Sequence, residues 1–303
     1  RHRSGPCLGG RSVKPAPFAY HRPTTLDDTL RLLAELAPRD GRVLAGGQSL
    51  APMMAFRLAR PAHLIDINAV AGLNGLAVRD GALRIGAGVR HAEFHRPVGE
   101  GPLGALLATV VQHIAHYPIR MRGTFCGSLA HADPAAEWCV VGVTLGAELA
   151  ALSINGERLL PAGAFFRGPM ETALAPDELL REARLPLLPD GTRFGFAEFS
   201  RRAGDYAQAM ALAVLHLQGQ VIAGARIGLG GVEAVPRRVA AAEAVLEGEL
   251  PGKEVFKVAA AAAAAAIEPL QDPQTDAQYR RELTHAMVYR ALMRACPPSG
   301  APG

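Results

Sequence analysis

Apolar positions along the chain alternate between helical and strand spacing, often changing over at a glycine or proline. In "TLDDTLRLLAEL" Leu26, Leu30, Leu33 and Leu36–Ala37 share one helical face, and Thr25 stands where an N-cap belongs. "RVLAGG" reads as a short strand running into a glycine turn. "SLAPMMAFRLA" returns to helical spacing at Leu50, Met53, Met54 and Leu58, with Pro52 in the first turn, where its missing N–H does no harm. "HLIDIN", "GLAVRDG" and "ALRIGAG" predict short strands joined by tight turns. "PLGALLATVVQHIAH" predicts an apolar-faced helix leading into the loop "GTFCGSLAHADPAAEW", and "WCVVGVTLGAELAALSINGERLLP" a helix followed by strands around Asn155-Gly156.

The chain changes character at "LPLLPDGTRF", where Pro186, Pro189 and Gly191 mark the best domain boundary. Beyond it, "MALAVLHLQGQVIAGARIGLGGV" reads as strands with tight turns. "RVAAAEAVLEG", "KEVFKVAAAAAAAAIEP" and "AQYRRELTHAMVYRALMRA" read as helices. The alanine tract has a low-complexity look, but alanine is the best helix former, so a closely packed helix is expected there.

Composition narrows the classes. The chain has 303 residues and is 49% hydrophobic, enough to build two domains with substantial cores. A net charge of +4 spread over scattered arginines does not form a nucleic-acid groove. Cys7, Cys126, Cys139 and Cys296 make no C-x-x-C pair and no cluster-ligating pattern, so no zinc or iron–sulfur centre is expected on this chain. Such cysteine usage suits a reducing compartment. The longest apolar block, Val258 to Ile267, is too short to span a membrane, and a cytoplasmic location is expected.

Three stretches carry candidate chemistry. In "LAGGQSL" a strand ends in Ala45-Gly46-Gly47 and a helix follows. Bare N–H groups and a helix start suit a phosphate or pyrophosphate, Gln48 and Ser49 add side-chain hydrogen bonds, and Ser49 is a possible N-cap. The pattern is neither a Walker A loop nor G-x-G-x-x-G, and by itself such a turn is more often a plain tight turn. Thr124, Phe125, Cys126, Gly127 and Ser128 form a second small-residue loop; two such loops could cradle the halves of a dinucleotide. Cys126 reads either as a reactive thiol or as a small residue at a bend.

His131 and Asp133 lack a third ligand for a metal, and Asp133 before Pro134 is also an ordinary turn residue. Ser128 lacks the second glycine of a nucleophile elbow. In "FSRRAGDYAQAMALAV", Arg201, Arg202, Asp205 and Tyr206 would suit an anionic ring system or a surface ion cluster.

Taken together, "AGGQSL", "RGTFCGSLAHADPAAE" and "RRAGDYA", in that order and at those separations, resemble the FAD-binding medium subunit of molybdenum hydroxylases, the carbon monoxide dehydrogenase and xanthine dehydrogenase family. "YHRPTTLDDTLRLLAE", "RLARPAHLIDIN", "ALAPDELLREARLP", "GLGGV" and "YRRELTHAMVYRAL" extend the resemblance from about Pro17 to Leu292.

The resemblance implies an α+β chain with an FAD-binding domain of the vanillyl-alcohol-oxidase (PCMH) type, in two α/β subdomains, and a smaller α+β C-terminal domain. The expected limits are a loose tail at 1–14, the flavin domain at 15–189, the C-terminal domain at 190–297 and a tail at 298–303. It implies that Ala45 to Ser49 wrap the FAD pyrophosphate and that Thr124 to Ser128 also hold the cofactor. Asp133 is then expected near its ribityl and flavin portion, with Tyr206 beside the isoalloxazine ring. No residue is assigned as general acid or base. A molybdenum cofactor and two iron–sulfur clusters would reside on a large and a small partner subunit, in a dimer of heterotrimers. Electrons would pass through this chain to an external acceptor.

The alternatives are a self-contained flavin oxidase or reductase of the same superfamily and a non-catalytic flavin-binding scaffold. Two departures stand out. Cys126 occupies the place of the first glycine in the usual T-x-G-G, so its backbone must avoid positive φ or be strained. Glu198 stands where some relatives place a lysine near the flavin, which would alter the redox potential.

Overall fold

The structure is a computed structural model and describes residues 14–272 and 275–297. Of the expected N-terminal tail only Lys14 falls within it; Cys7 and the expected tail 298–303 lie outside the described residues. The first unit is β1 (Ala19–His21), α1 (Leu26–Leu36), β2 (Gly41–Leu44), α2 (Leu50–Ala55) and β3 (His63–Asp66). Its strands form a parallel sheet in the order β1-β3-β2, with His63 in register with both Ala19 and Gly41. Thr25 caps α1 as expected, accepting from the Asp28 N–H at 3.2 Å, and Leu30, Leu33 and Leu36 turn inward.

The helix α2 is shorter than its spacing predicts. Arg57 takes a left-handed conformation (φ 59°), the Leu58 N–H reaches back to the Met53 carbonyl, and the Arg57 N–H to that of Met54. This is a Schellman stop with arginine in place of the usual glycine. It leaves Met54 buried but Phe56 and Leu58 in solvent.

The second unit contributes β4 (Leu76–Arg79), β5 (Ala82–Gly86), α3 (Pro102–Val110), α4 (Tyr117–Arg120), α5 (Phe125–His131) and α6 (Glu137–Leu145). It continues with β6 (Glu148–Ser153), β7 (Gly156–Pro161), the short pair β8 (Phe166–Gly168) and β9 (Glu171–Thr172), and β10 (Leu179–Pro186). Five strands form an antiparallel sheet ordered β4-β5-β10-β6-β7. Asp80 and Gly81, both with positive φ (51° and 73°), make the Asp-Gly turn of the first hairpin, the conformation its sequence demands.

The third unit is β11 (Thr192–Phe199), β12 (Ala209–Gln218), β13 (Val221–Gly230), β14 (Arg237–Arg238), α7 (Ala240–Leu246), α8 (Lys253–Ala266) and α9 (Ala277–Ala295). Its antiparallel sheet, ordered β11-β12-β13-β14, is buried on both faces. Met210, Leu212 and Val214 join the core of the preceding units, whereas Ala209, Ala211, Ala213 and Leu215 face the helices. The period-2 alternation of a strand thus sends one set of side chains each way. Alanine suits the helical side: Ala259, Ala260 and Ala263 of α8 are fully buried, so the alanine tract is a packed helix. On β11, Gly195 lets α9 approach so closely that a Cβ there would overlap the Ala291 carbonyl oxygen. Among the described residues no helix is long and apolar enough to cross a membrane.

Candidate functional site

The turn from β2 to α2 carries Ala45, Gly46, Gly47, Gln48 and Ser49, all partly exposed. Gly47 has φ 71°, which glycine alone adopts without cost. Among the described residues, none accepts a hydrogen bond from the N–H groups of Gly46, Gly47, Gln48 or Ser49. The Gln48 side chain folds back, Nε2 donating to the Gly46 carbonyl at 3.0 Å. Ser49 does not cap α2 with its hydroxyl, contrary to the possibility raised above.

The second loop lies directly against the first. A Cβ on Gly46 would overlap the Arg122 carbonyl oxygen and come within 2.6 Å of the Gly123 Cα, and one on Gly127 would stand 3.7 Å from the Ala45 Cβ. Thr124 N-caps α5, its Oγ1 accepting from the Gly127 N–H at 3.0 Å. The loop is anchored from beneath by the Phe125 ring, which is fully buried with Phe94 and Trp138 at centroid distances of 5.6 and 4.8 Å. The Phe125 side chain therefore cannot reach a ligand, and its N–H donates to the Val89 carbonyl at 3.0 Å.

Cys126 has helical, not left-handed, backbone, so the loss of the expected glycine brings no strain. Its Sγ donates to the Ile85 carbonyl at 3.4 Å, and burial pushes the thiol up to about 12, which removes the reactive-thiol reading. Ser128, two residues further along α5, is partly exposed.

At the far end of α5, Ala132 (φ 53°) ends the helix and Asp133 begins a turn, its Oδ1 accepting from the Ala135 N–H at 2.8 Å. Seven helical residues separate this end from the Thr124 cap by on the order of 10 Å. The Gly231 N–H, just after β13, donates to the Pro134 carbonyl at 2.7 Å and ties the turn to the third unit. Tyr206 comes from that unit and is 68% exposed. Burial first, then the charges of Asp133 and Glu137, raise its phenol pKa, so the tyrosine shares the electrostatic surroundings of the "HADP" turn. Arg201 and Asp205 line a cavity of about 400 Å³ with Tyr206 and Arg280. A cleft of about 350 Å³ runs past Ala45, Cys126, Gly127, Ala130 and Thr172.

Two carboxyl groups titrate well above the usual carboxylate range. Glu137 is raised to about 7, chiefly by burial and further by Asp133; Glu198 is raised to about 8 by burial and by Glu137. The Glu198 Oε2 has no hydrogen-bond partner, and the nearest cationic candidate, His113 Nδ1, is 3.8 Å away on a ring that burial itself keeps neutral. A carboxyl raised in the fold stabilises it fully below about 4.5, and that contribution is lost as pH rises through about 8. Glu198→Gln is therefore expected to melt with wild type at pH 4 and increasingly above it towards pH 9. A melting-temperature difference that does not change with pH would show that the carboxyl is not raised.

Asn68, Arg90 and His91 also belong to the site, although no motif singles them out. His91 donates its backbone N–H to the Gly123 carbonyl at 3.0 Å, and its Nδ1 accepts from Trp138 Nε1 at 2.9 Å. Burial, then Arg90 and Arg120, depress its imidazole to about 3, so the ring is neutral and its Nε2 lies against Gly123. The sequence signals were that "IDIN" ends a predicted strand within the resembling stretch "RLARPAHLIDIN" and that "GVRH" follows another. Among the described residues, no group of three or more His, Cys, Asp or Glu is placed to hold a metal.

Comparison with known proteins agrees with this architecture. Residues 16–188 match the FAD binding domain in molybdopterin dehydrogenase, and residues 194–295 match the CO dehydrogenase flavoprotein C-terminal domain. The nicotine 6-hydroxylase medium subunit of Paenarthrobacter nicotinovorans is 36% identical over 283 residues, covering 93% of this chain and 99% of that protein. The carbon monoxide dehydrogenase medium chain of Hydrogenophaga pseudoflava is 35% identical over 282 residues, 93% and 98% of the two chains. The solved structure of quinoline 2-oxidoreductase from Pseudomonas putida 86 superposes with a TM-score of 0.86 at 36% identity, over 93% of this chain and 98% of its own. Two glycine loops in contact, an FAD-domain match over more than half the chain and full-length relatives of this kind lead to one conclusion: the chain belongs to the family of FAD-binding medium subunits of the molybdenum hydroxylases, and is an oxidoreductase subunit with a PCMH-type flavin domain and a C-terminal α+β domain.

Proposed function

We propose that this chain takes electrons from two iron–sulfur clusters on a small partner subunit and passes them to an external acceptor, while substrate is hydroxylated at a molybdenum cofactor on a large partner subunit. The observation that carries this reading is the pair of touching glycine loops, the first of which has free backbone donors. That arrangement suits a diphosphate lying across both loops. Bound FAD supplies a store for two electrons that can be filled and emptied one at a time.

In this reading Ala45, Gly46, Gly47, Gln48 and Ser49 present N–H groups to one side of the diphosphate. Thr124, Phe125, Cys126, Gly127 and Ser128 present the start of α5 to the other. Asp133 and Tyr206, at the far end of α5, hold the ring-bearing half, and Tyr206 gives it an aromatic neighbour. No residue of this chain is assigned as a general acid or base towards substrate. The functional division is 15–189 for the cofactor and 190–297 for the C-terminal domain, in a cytoplasmic dimer of heterotrimers.

The test is an anaerobic visible spectrum of the chain, alone and co-purified with its partner subunits, before and after substrate. Flavin bleaching only in the presence of the partners is the expected result. Bleaching of the isolated chain by substrate would make it a self-contained flavoenzyme, and flavin that never bleaches in the complex would make it a scaffold.

A further inference from the structure

Ala45, Asn68, Arg90 and Arg122 close a ring of contacts around the point where the two glycine loops meet. Asn68 sits in the turn after β3, held by its N–H to Asp66 Oδ1 at 2.9 Å, while Asp66 also accepts from the Tyr20 hydroxyl. Its amide Nδ2 donates to the Ala45 carbonyl at 2.8 Å, and its Oδ1 accepts from Arg90 Nη2 at 2.5 Å. Arg90, in the turn after β5, donates from Nη1 to the Arg122 carbonyl. That carbonyl oxygen is the atom against which Gly46 is packed, so the ring closes on the first loop. Two side chains from two further turns thus join Ala45 to Arg122, residues far apart in the sequence.

The charge is as informative as the bonds. The recorded partners of Arg90 are neutral oxygens, and among the described residues neither Arg90 nor Arg122 has a carboxylate in ion-pair contact. Burial and the neighbouring Arg122 both lower the proton affinity of Arg90, with only Asp66 opposing them. A half-buried cation paired with neutral groups alone leaves desolvation uncompensated. The unused N–H groups of Gly46 to Ser49 lie in the same place and ask for the same kind of ligand.

We propose that Asn68 and Arg90 are positioning residues that set the spacing of the two loops, and that the Arg90 guanidinium supplies the positive charge that receives the diphosphate of the dinucleotide. The proposal rests on the FAD reading above. It is tested on the full chain freed of flavin, with FAD and ADP as the diphosphate probes, followed by flavin fluorescence and by competition. Arg90→Gln and Asn68→Ala are each expected to weaken FAD on the order of 10- to 100-fold, the range for a charge-assisted hydrogen bond, with ADP weakened in parallel. Arg90→Lys, which keeps the charge but not the fork, should recover part of the loss. FAD affinity within about twofold of wild type in both Arg90→Gln and Asn68→Ala would overturn the proposal. So would a fall of more than about 10 °C in the melting temperature of the flavin-free variants, which would assign the pair to the fold instead. Wild-type chain that takes up neither FAD nor ADP would defeat the underlying FAD reading, an outcome distinct from either of these.

Discussion

Gly46→Val is expected to yield a folded chain that purifies with little or no flavin. The added side chain has nowhere to go: its Cβ would overlap the Arg122 carbonyl oxygen and press on the Gly123 Cα, both rigid backbone. Relief requires the two loops to part, and overpacking of this kind costs roughly 1–3 kcal/mol. Charged to the bound state alone, that is roughly 10- to 100-fold in affinity. The first loop is partly exposed throughout, whereas the second is anchored by the buried Phe125, so the first loop can move away and leave the buried clusters intact. The ratio of flavin to protein absorbance, read beside the far-ultraviolet circular dichroism, measures both halves of the expectation. A fully flavinated Gly46→Val chain would mean that loop contact is not needed for the cofactor.

The largest loss of stability is expected from Trp138→Ala. Trp138 is fully buried on α6, with Phe125 4.8 Å away and Phe94 5.3 Å away between ring centroids. Truncating such a residue costs about 3–5 kcal/mol, since the cavity cannot collapse around the two phenylalanine rings. For a body of this size the melting temperature should fall by about 10 °C. The same change also removes the donor to His91 Nδ1, leaving a buried imidazole nitrogen without its partner beside Gly123. Trp138→Ala should therefore loosen flavin as well as the fold. Phe56→Ala, by contrast, removes a ring that is 73% exposed and should shift the melting temperature by no more than about a degree or two. Thermal melts of the two variants side by side decide whether the aromatic cluster under the second loop bears the stability assigned to it.

The helix α1 with its Thr25 cap, the Asp80-Gly81 and Asn155-Gly156 hairpins and the alanine helix α8 were legible in the sequence because their causes are local: spacing, caps and turn chemistry. The helix α2 was overextended, since Leu58 continues the helical spacing while the left-handed Arg57 stops it. A backbone stop that uses arginine instead of glycine leaves no mark in the composition. Ser49 has the right residue type for a cap but meets no N–H in the short helix that follows. Cys126, ambiguous as a letter, becomes a plain core residue once Ile85 and full burial are seen around it.

The sequence by itself determined the elements with local causes, the family resemblance and the two glycine loops, since each depends on neighbours within a few residues or on motifs read in order. Only the tertiary structure decided that Gly46 touches Arg122 and Gly123, that Asn68 and Arg90 clasp the loops, and that β12 serves two cores at once. It also decided the protonation of Glu137, Glu198 and His91, because desolvation depends on what packs around a group. Contacts between residues dozens of positions apart are set by the packing of sheets and helices as wholes, and the letters at their ends do not encode them separately.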